Sequence, residues 1–170
     1  MLVRIIPAAL ALALATTAAA AHATFGGGVG RLAFPMGNGN VDIYSSLPNG
    51  SDLRQLTTDP GFDACPVWSP NGKQIVFCSN RGGTWQIWLM NADGTNQHVI
   101  THGDPALYPN WSPDGKRIVY DATSSSPSQD NVFVINAAGG TPRRLTDAPG
   151  NDDYPVFSPD GKTIDRKSVV

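Results

Sequence analysis

One hexapeptide written three times constrains this chain more than any other feature. Trp68-Ser69-Pro70-Asn71-Gly72-Lys73 returns as Trp111-Ser112-Pro113-Asp114-Gly115-Lys116, and again as Phe157-Ser158-Pro159-Asp160-Gly161-Lys162. The serines are 43 and 46 residues apart. A second marker keeps the same rhythm: Leu56-Thr57, Ile100-Thr101 and Leu145-Thr146 recur at 44 and 45 residues. Markers that stay in phase at this period mean stacked supersecondary units rather than one irregular domain.

Each unit reads as four short strands joined by tight turns. The first strand ends at Trp68, and Ile75 to Phe77 form the second. Between them Pro70 presets φ, Asn71 tolerates the bend and Gly72 takes the left-handed position. Trp85 to Met90 is the third strand and His98 to Thr101 the fourth, with Asn131 to Ile135 as the third strand of the next unit. Runs such as Ile75-Val76-Phe77 are apolar on both faces, as in a sheet packed between two others. The expected fold is all-β, a β-propeller with four-stranded blades, here incomplete: about three blades plus the start of a fourth. The blades lie near 30–57, 62–101, 104–146 and 152–164. The high counts of Gly (18) and Pro (14) suit such a turn-rich chain.

At this point the residues resemble a family. Trp-Ser-Pro-Asp-Gly-Lys, Ile-Val-Phe, Ile87-Trp88-Leu89-Met90-Asn91-Ala92-Asp93-Gly94 and Leu-Thr are similar to the WD40-like β-propeller repeat of TolB-like proteins, over residues 30–164. The resemblance implies a ring of roughly six blades, or roughly 260 residues at this period. It implies a non-catalytic scaffold that binds a protein, peptide or other ligand in the cell envelope or outside the cell. The repeats follow the leader directly. What carries over is therefore the propeller surface, and not the docking role of the α/β domain that precedes the propeller in TolB itself. Similar propellers also gate prolyl-oligopeptidase-like serine peptidases, so the alternative is a gating propeller whose hydrolase domain has been lost by truncation.

The ends carry their own expectations. Arg4 followed by the apolar Ile5 to Ala15 and by Ala21-His22-Ala23 reads as a signal peptide over 1–23, the alternative being an uncleaved anchor. Residues 24–29, glycine-rich, read as a flexible leader. The location is then periplasmic or extracellular, with no membrane insertion after cleavage. Asp165-Arg166-Lys167-Ser168-Val169-Val170 breaks the repeat and resembles a translated sequencing adapter, so 165–170 is expected to be a foreign tail. The alternative is a naturally short protein that closes by oligomerising. A net charge of −2 without a basic stripe gives no footprint for nucleic acid.

No catalytic motif or zinc pattern occurs. Cys65 and Cys78 are the only cysteines. Counting back across the bend places them opposite each other on neighbouring strands, as a disulfide in an oxidising compartment or as two buried thiols. Asp63, Asp104, Asp152 and Asp153 stand just before or within the first strands. They either rim the channel, where they could bind a cation such as Ca²⁺ or the basic end of a partner peptide, or make turns and cap amides. No other cofactor is expected. Trp68, Trp111 and Phe157 share one repeat position and are expected in the core between blades.

Overall fold

The computed structural model describes residues 30–169 apart from 126, 127 and 148. The expected signal peptide and most of the leader lie outside the described residues. Thirteen strands follow in order: β1 (Leu32–Met36), β2 (Asp42–Ser46), β3 (Arg54–Gln55), β4 (Asp63–Trp68), β5 (Gln74–Ser79), β6 (Gln86–Asn91), β7 (His98–Val99), β8 (Ala106–Trp111), β9 (Arg117–Ser125), β10 (Ser128–Asn136), β11 (Arg143–Arg144), β12 (Asn151–Phe157) and β13 (Ile164–Val169). They form four antiparallel sheets: β1-β2-β3, β4-β5-β6-β7, β8-β9-β10-β11 and β12-β13. These are the blades. β4 packs on β8 and β8 on β12, whereas the short β3, β7 and β11 touch only their own blades. The first strands β4, β8 and β12 are therefore the inner ones, on the side where the blades converge, while β1 packs on β4 as β5 packs on β8.

Side chains of the repeat build its turns. In blade 2 the Ser69 hydroxyl donates to Asn71 Oδ1 (2.9 Å) and accepts from the Gln74 amide (3.0 Å), while Asn71 Oδ1 also takes the Lys73 amide (3.0 Å). Ser112 and Asp114, then Ser158 and Asp160, repeat the arrangement. Gly72, Gly115 and Gly161 sit at φ 66°, 68° and 68°, a region costly for any residue with a Cβ.

The Leu-Thr marker has an equally local cause. Thr57, Thr101 and Thr146 each accept, through Oγ1, a main-chain amide of β2, β6 or β10: Ile43 (2.9 Å), Ile87 (2.8 Å) and Val132 (3.0 Å). The preceding Leu56, Ile100 and Leu145 donate their amides back to the carbonyls of those same residues. One side chain thus continues the ladder where the fourth strand leaves it.

A different aromatic fills each seam between blades. Trp68 packs with Ala33, Ile43, Ile75 and Phe77 between blades 1 and 2, and Trp111 with Val67, Val76 and Leu89 between blades 2 and 3. Phe157 packs with Val119, Val132 and Val134 between blades 3 and 4. All three are under one-tenth exposed. Burial of this kind contributes about 1.5–3 kcal/mol for each large apolar side chain.

One expectation needs correction. Cys65 does not oppose Cys78: the pairs are Ala64 with Cys78 and Val67 with Val76, so β4 carries one extra residue in a bulge. Pro66 has no N–H to give the ladder, and the chain passes it by turning Cys65 to φ 53°. The tail forms part of a strand. As far as Val169 it continues as β13 and pairs with β12 through Asp153–Lys167 and Asp152–Ser168. Main-chain pairing asks little of side-chain identity, and Asp165, Arg166 and Lys167 remain exposed where blade 2 has buried Val76, Phe77 and Cys78.

Candidate functional site

The bulge of β4 recurs in β8 and β12, each time ahead of a proline. Tyr108 at φ 48° and Tyr154 at φ 53° occupy the place of Cys65. Three equivalent left-handed residues thus stand side by side on the inner strands. The Tyr108 and Tyr154 rings lie 4.2 Å apart at 38°. A hydrogen bond with Tyr154, followed by burial, holds the Tyr108 phenol well above the usual tyrosine range. Tyr154 remains 38% exposed, with Val156 beside it at 46%.

Behind the tyrosines, carboxyls gather in the seam between blades 3 and 4. Asp121 on β9 is 4% exposed, and its Oδ1 has no partner among the described residues. Burial pushes its pKa up to about 8, helped by the negative neighbours Asp153 and Asp130. Asp153 is raised by burial and by Asp130, with which it shares a hydrogen bond across the seam. Asp130 also accepts the Thr123 hydroxyl at 2.5 Å. The inner wall of blades 3 and 4 is therefore aromatic at its surface and acidic beneath.

The four expected aspartates do not come together. Asp63 is fully buried and paired with Arg81 Nη2 at 2.5 Å. Asp104 is exposed ahead of β8, its carbonyl accepting from Gln86 (3.2 Å). Asp152 is buried against Arg166 (2.5 Å). Asp153 alone joins the acidic seam. Among the described residues no group of three or more His, Cys, Asp or Glu is arranged to hold a metal ion. Cys65 and Cys78 are free thiols.

Arg81 was hidden in the sequence, where Arg81-Gly82-Gly83 reads as a hairpin turn. Gly82 and Gly83 do make the turn, but the Arg81 side chain folds inward. It pairs with Asp63 and Asp59 (3.2 Å), donates to Gln97 (2.6 Å) and Ser79 (3.0 Å), and lies 4.8 Å from the Trp88 ring. The guanidinium forms the floor of a groove of about 570 Å³ lined by Asp59, Trp88, Gly94, Asn96 and Gln97. Its donors are taken up by its own neighbours, so it acts here as a clasp that ties the loop entering blade 2, at Asp59, to that blade. Asp59 just before β4 and Asp63 at its start are the signal that could have located it.

Comparison with known proteins agrees with this architecture. Residues 18–129 match the family of the TolB beta propeller domain. A TolB homolog from Chlorobium chlorochromatii is 34% identical over 131 residues, which is 75% of this chain and 28% of that protein. The Tol-Pal system protein TolB of Helicobacter hepaticus is 33% identical over 128 residues, 72% of this chain and 30% of its own length. The chain thus spans under a third of these relatives. Among solved structures, TolB from Acinetobacter baumannii superimposes with a TM-score of 0.70 at 26% identity, covering 83% of this chain and 35% of that one. A prolyl endopeptidase structure reaches a TM-score of 0.63 at 15% identity, covering 83% and 25%, a likeness of fold alone.

Proposed function

Because the chain belongs to the TolB β-propeller family, we propose that it is the binding surface of an exported, non-catalytic scaffold that recognises a protein partner in the bacterial envelope. The observation that carries this reading is the inner wall of blades 3 and 4, where the Tyr108–Tyr154 pair presents a half-exposed aromatic face over buried carboxyls. Rigid aromatic residues with a polar edge suit protein recognition, because they give contact area at low entropic cost. The acid beneath favours a partner segment with a basic residue. Catalysis is disfavoured by the same geometry, since the perturbed Asp121 is packed into a seam rather than poised in an open cavity. Export follows from the expected signal peptide over 1–23; no helix among the described residues is long and apolar enough to cross a membrane.

The test is calorimetric titration of the full-length protein with the Pal protein of its own host, a partner suggested by the name of the Helicobacter relative. The reading expects saturable binding, weakened on the order of tenfold by Tyr154→Ala. Binding that Tyr154→Ala leaves unchanged would move the site elsewhere. Hydrolysis of prolyl peptides by the same preparation would favour the gating alternative.

A further inference from the structure

We propose that Cys65 and Cys78 form a reversible dithiol–disulfide site in the inner wall of blade 2, with Cys65 as the entry nucleophile and Cys78 as the resolving thiol. The placement of the two residues carries the argument. Cys65 is the extra residue of the β4 bulge, held at φ 53° and partly buried, while Cys78 on β5 is wholly buried and pairs with Ala64 next door. The bulge brings the two thiols into hydrogen-bonding contact. Cys78 also donates its S–H to the Ala64 carbonyl at 3.3 Å. Hairpin strands this close allow a bond with little backbone movement.

Comparison between blades shows that sulfur is not needed to build this place. The same bulge carries Tyr108 in blade 3 and Tyr154 in blade 4, at nearly the same φ, and the position of Cys78 is taken by Asp121 and Lys167. Blade 2 holds both cysteines of the whole chain, one at each of these paired positions. A substitution made for packing would have no cause to fall on both members of one pair. The environment divides the roles. The hydrogen bond with Cys78 lowers the Cys65 pKa and favours its thiolate, whereas burial pushes the Cys78 thiol up.

The reaction needs a disulfide oxidant, either small-molecule or protein. The Cys65 thiolate attacks one sulfur of that disulfide, forming a mixed disulfide and expelling one thiolate. Cys78 then loses its proton and attacks Cys65 Sγ, expelling the second thiolate. Two protein thiols are oxidised to one disulfide, and one oxidant disulfide is reduced to two thiols. The product ties β4 to β5 at the bulge and stiffens the inner wall beside Tyr108.

The experiment incubates the full native chain with oxidised glutathione and follows thiol titre and intact mass. The proposal expects both thiols to disappear together, the mass to fall by two hydrogens, and dithiothreitol to restore both. C78S should instead accumulate a glutathione adduct on Cys65, and C65S should leave Cys78 unreactive. C65Y serves if C65S folds poorly, because blades 3 and 4 fold with tyrosine at that bulge. A lasting glutathione adduct on the wild type would overturn the proposal. So would thiols that react only after denaturation, or Cys78 oxidation at the wild-type rate in C65S.

Discussion

Trp111 donates its indole N–H to the carbonyl of Val67, 3.1 Å away and one blade upstream. The bond joins inner strands β8 and β4 at the repeat position that opens the Trp-Ser-Pro hexapeptide. Trp111 is therefore more than filler: it also satisfies a main-chain acceptor at the blade edge. Removing the N–H while keeping a ring, as in Trp111→Phe, should cost about 1–2 kcal/mol. Trp111→Ala adds a cavity and should cost about 3–5 kcal/mol. Urea unfolding of the two variants against wild type checks the order.

Arg81 and Asp63 form a buried ion pair within blade 2. Arg81→Met leaves Asp63 charged, fully buried and without its partner, and should destabilise by about 3–5 kcal/mol. Asp63→Asn combined with Arg81→Met should recover part of that loss, since the stranded charge is gone. A double-mutant cycle by thermal or urea unfolding measures the coupling. Additive losses would mean that the pair contributes nothing as a pair.

Thr57, Thr101 and Thr146 do the same work in three blades, far enough apart to act independently. Replacing each by Val keeps shape and removes the acceptor of one third-strand amide. Each change should cost about 1–2 kcal/mol, and the triple variant close to the sum. Amide hydrogen exchange should show the loss at Ile43, Ile87 and Val132 respectively.

Asp121 gives the chain a pH dependence whose sign follows from its raised pKa. Between the ordinary carboxylate value of 3.8 and the folded value of about 8, the unfolded chain gives up this proton while the folded chain keeps it. Ionisation therefore favours unfolding, and stability falls as pH rises through that window. Asp153, also raised, contributes in the same direction. Asp121→Asn should flatten the profile, matching wild type at about pH 4 and exceeding it in melting temperature at about pH 8. A wild-type melting temperature that climbs across this range would contradict the assignment.

The blades were legible in the sequence because every device that builds them is local. The Ser-Pro-Asp-Gly turn is closed by side chains two to five residues apart, and the Leu-Thr marker bonds within its own blade. The bulges were not legible. Strand pairing read from a turn assumes one residue against one, and Pro66 breaks that count at Cys65. Nor was the acidic seam, because Asp121, Asp130 and Asp153 come from two blades and meet only once these pack. Asp63 was singled out for its place before a strand, but its role is fixed by Arg81, eighteen positions along the chain.

Site-specific photo-crosslinking in living cells tests the binding account most directly. A photoreactive phenylalanine is placed at Tyr154 on inner strand β12 and, separately, at Arg143 on outer strand β11 of the full-length protein. The account predicts a discrete covalent adduct to one envelope protein from position 154 and none from position 143. No adduct from 154, or equal adducts from both positions, would contradict the claim that the inner wall is the recognition surface.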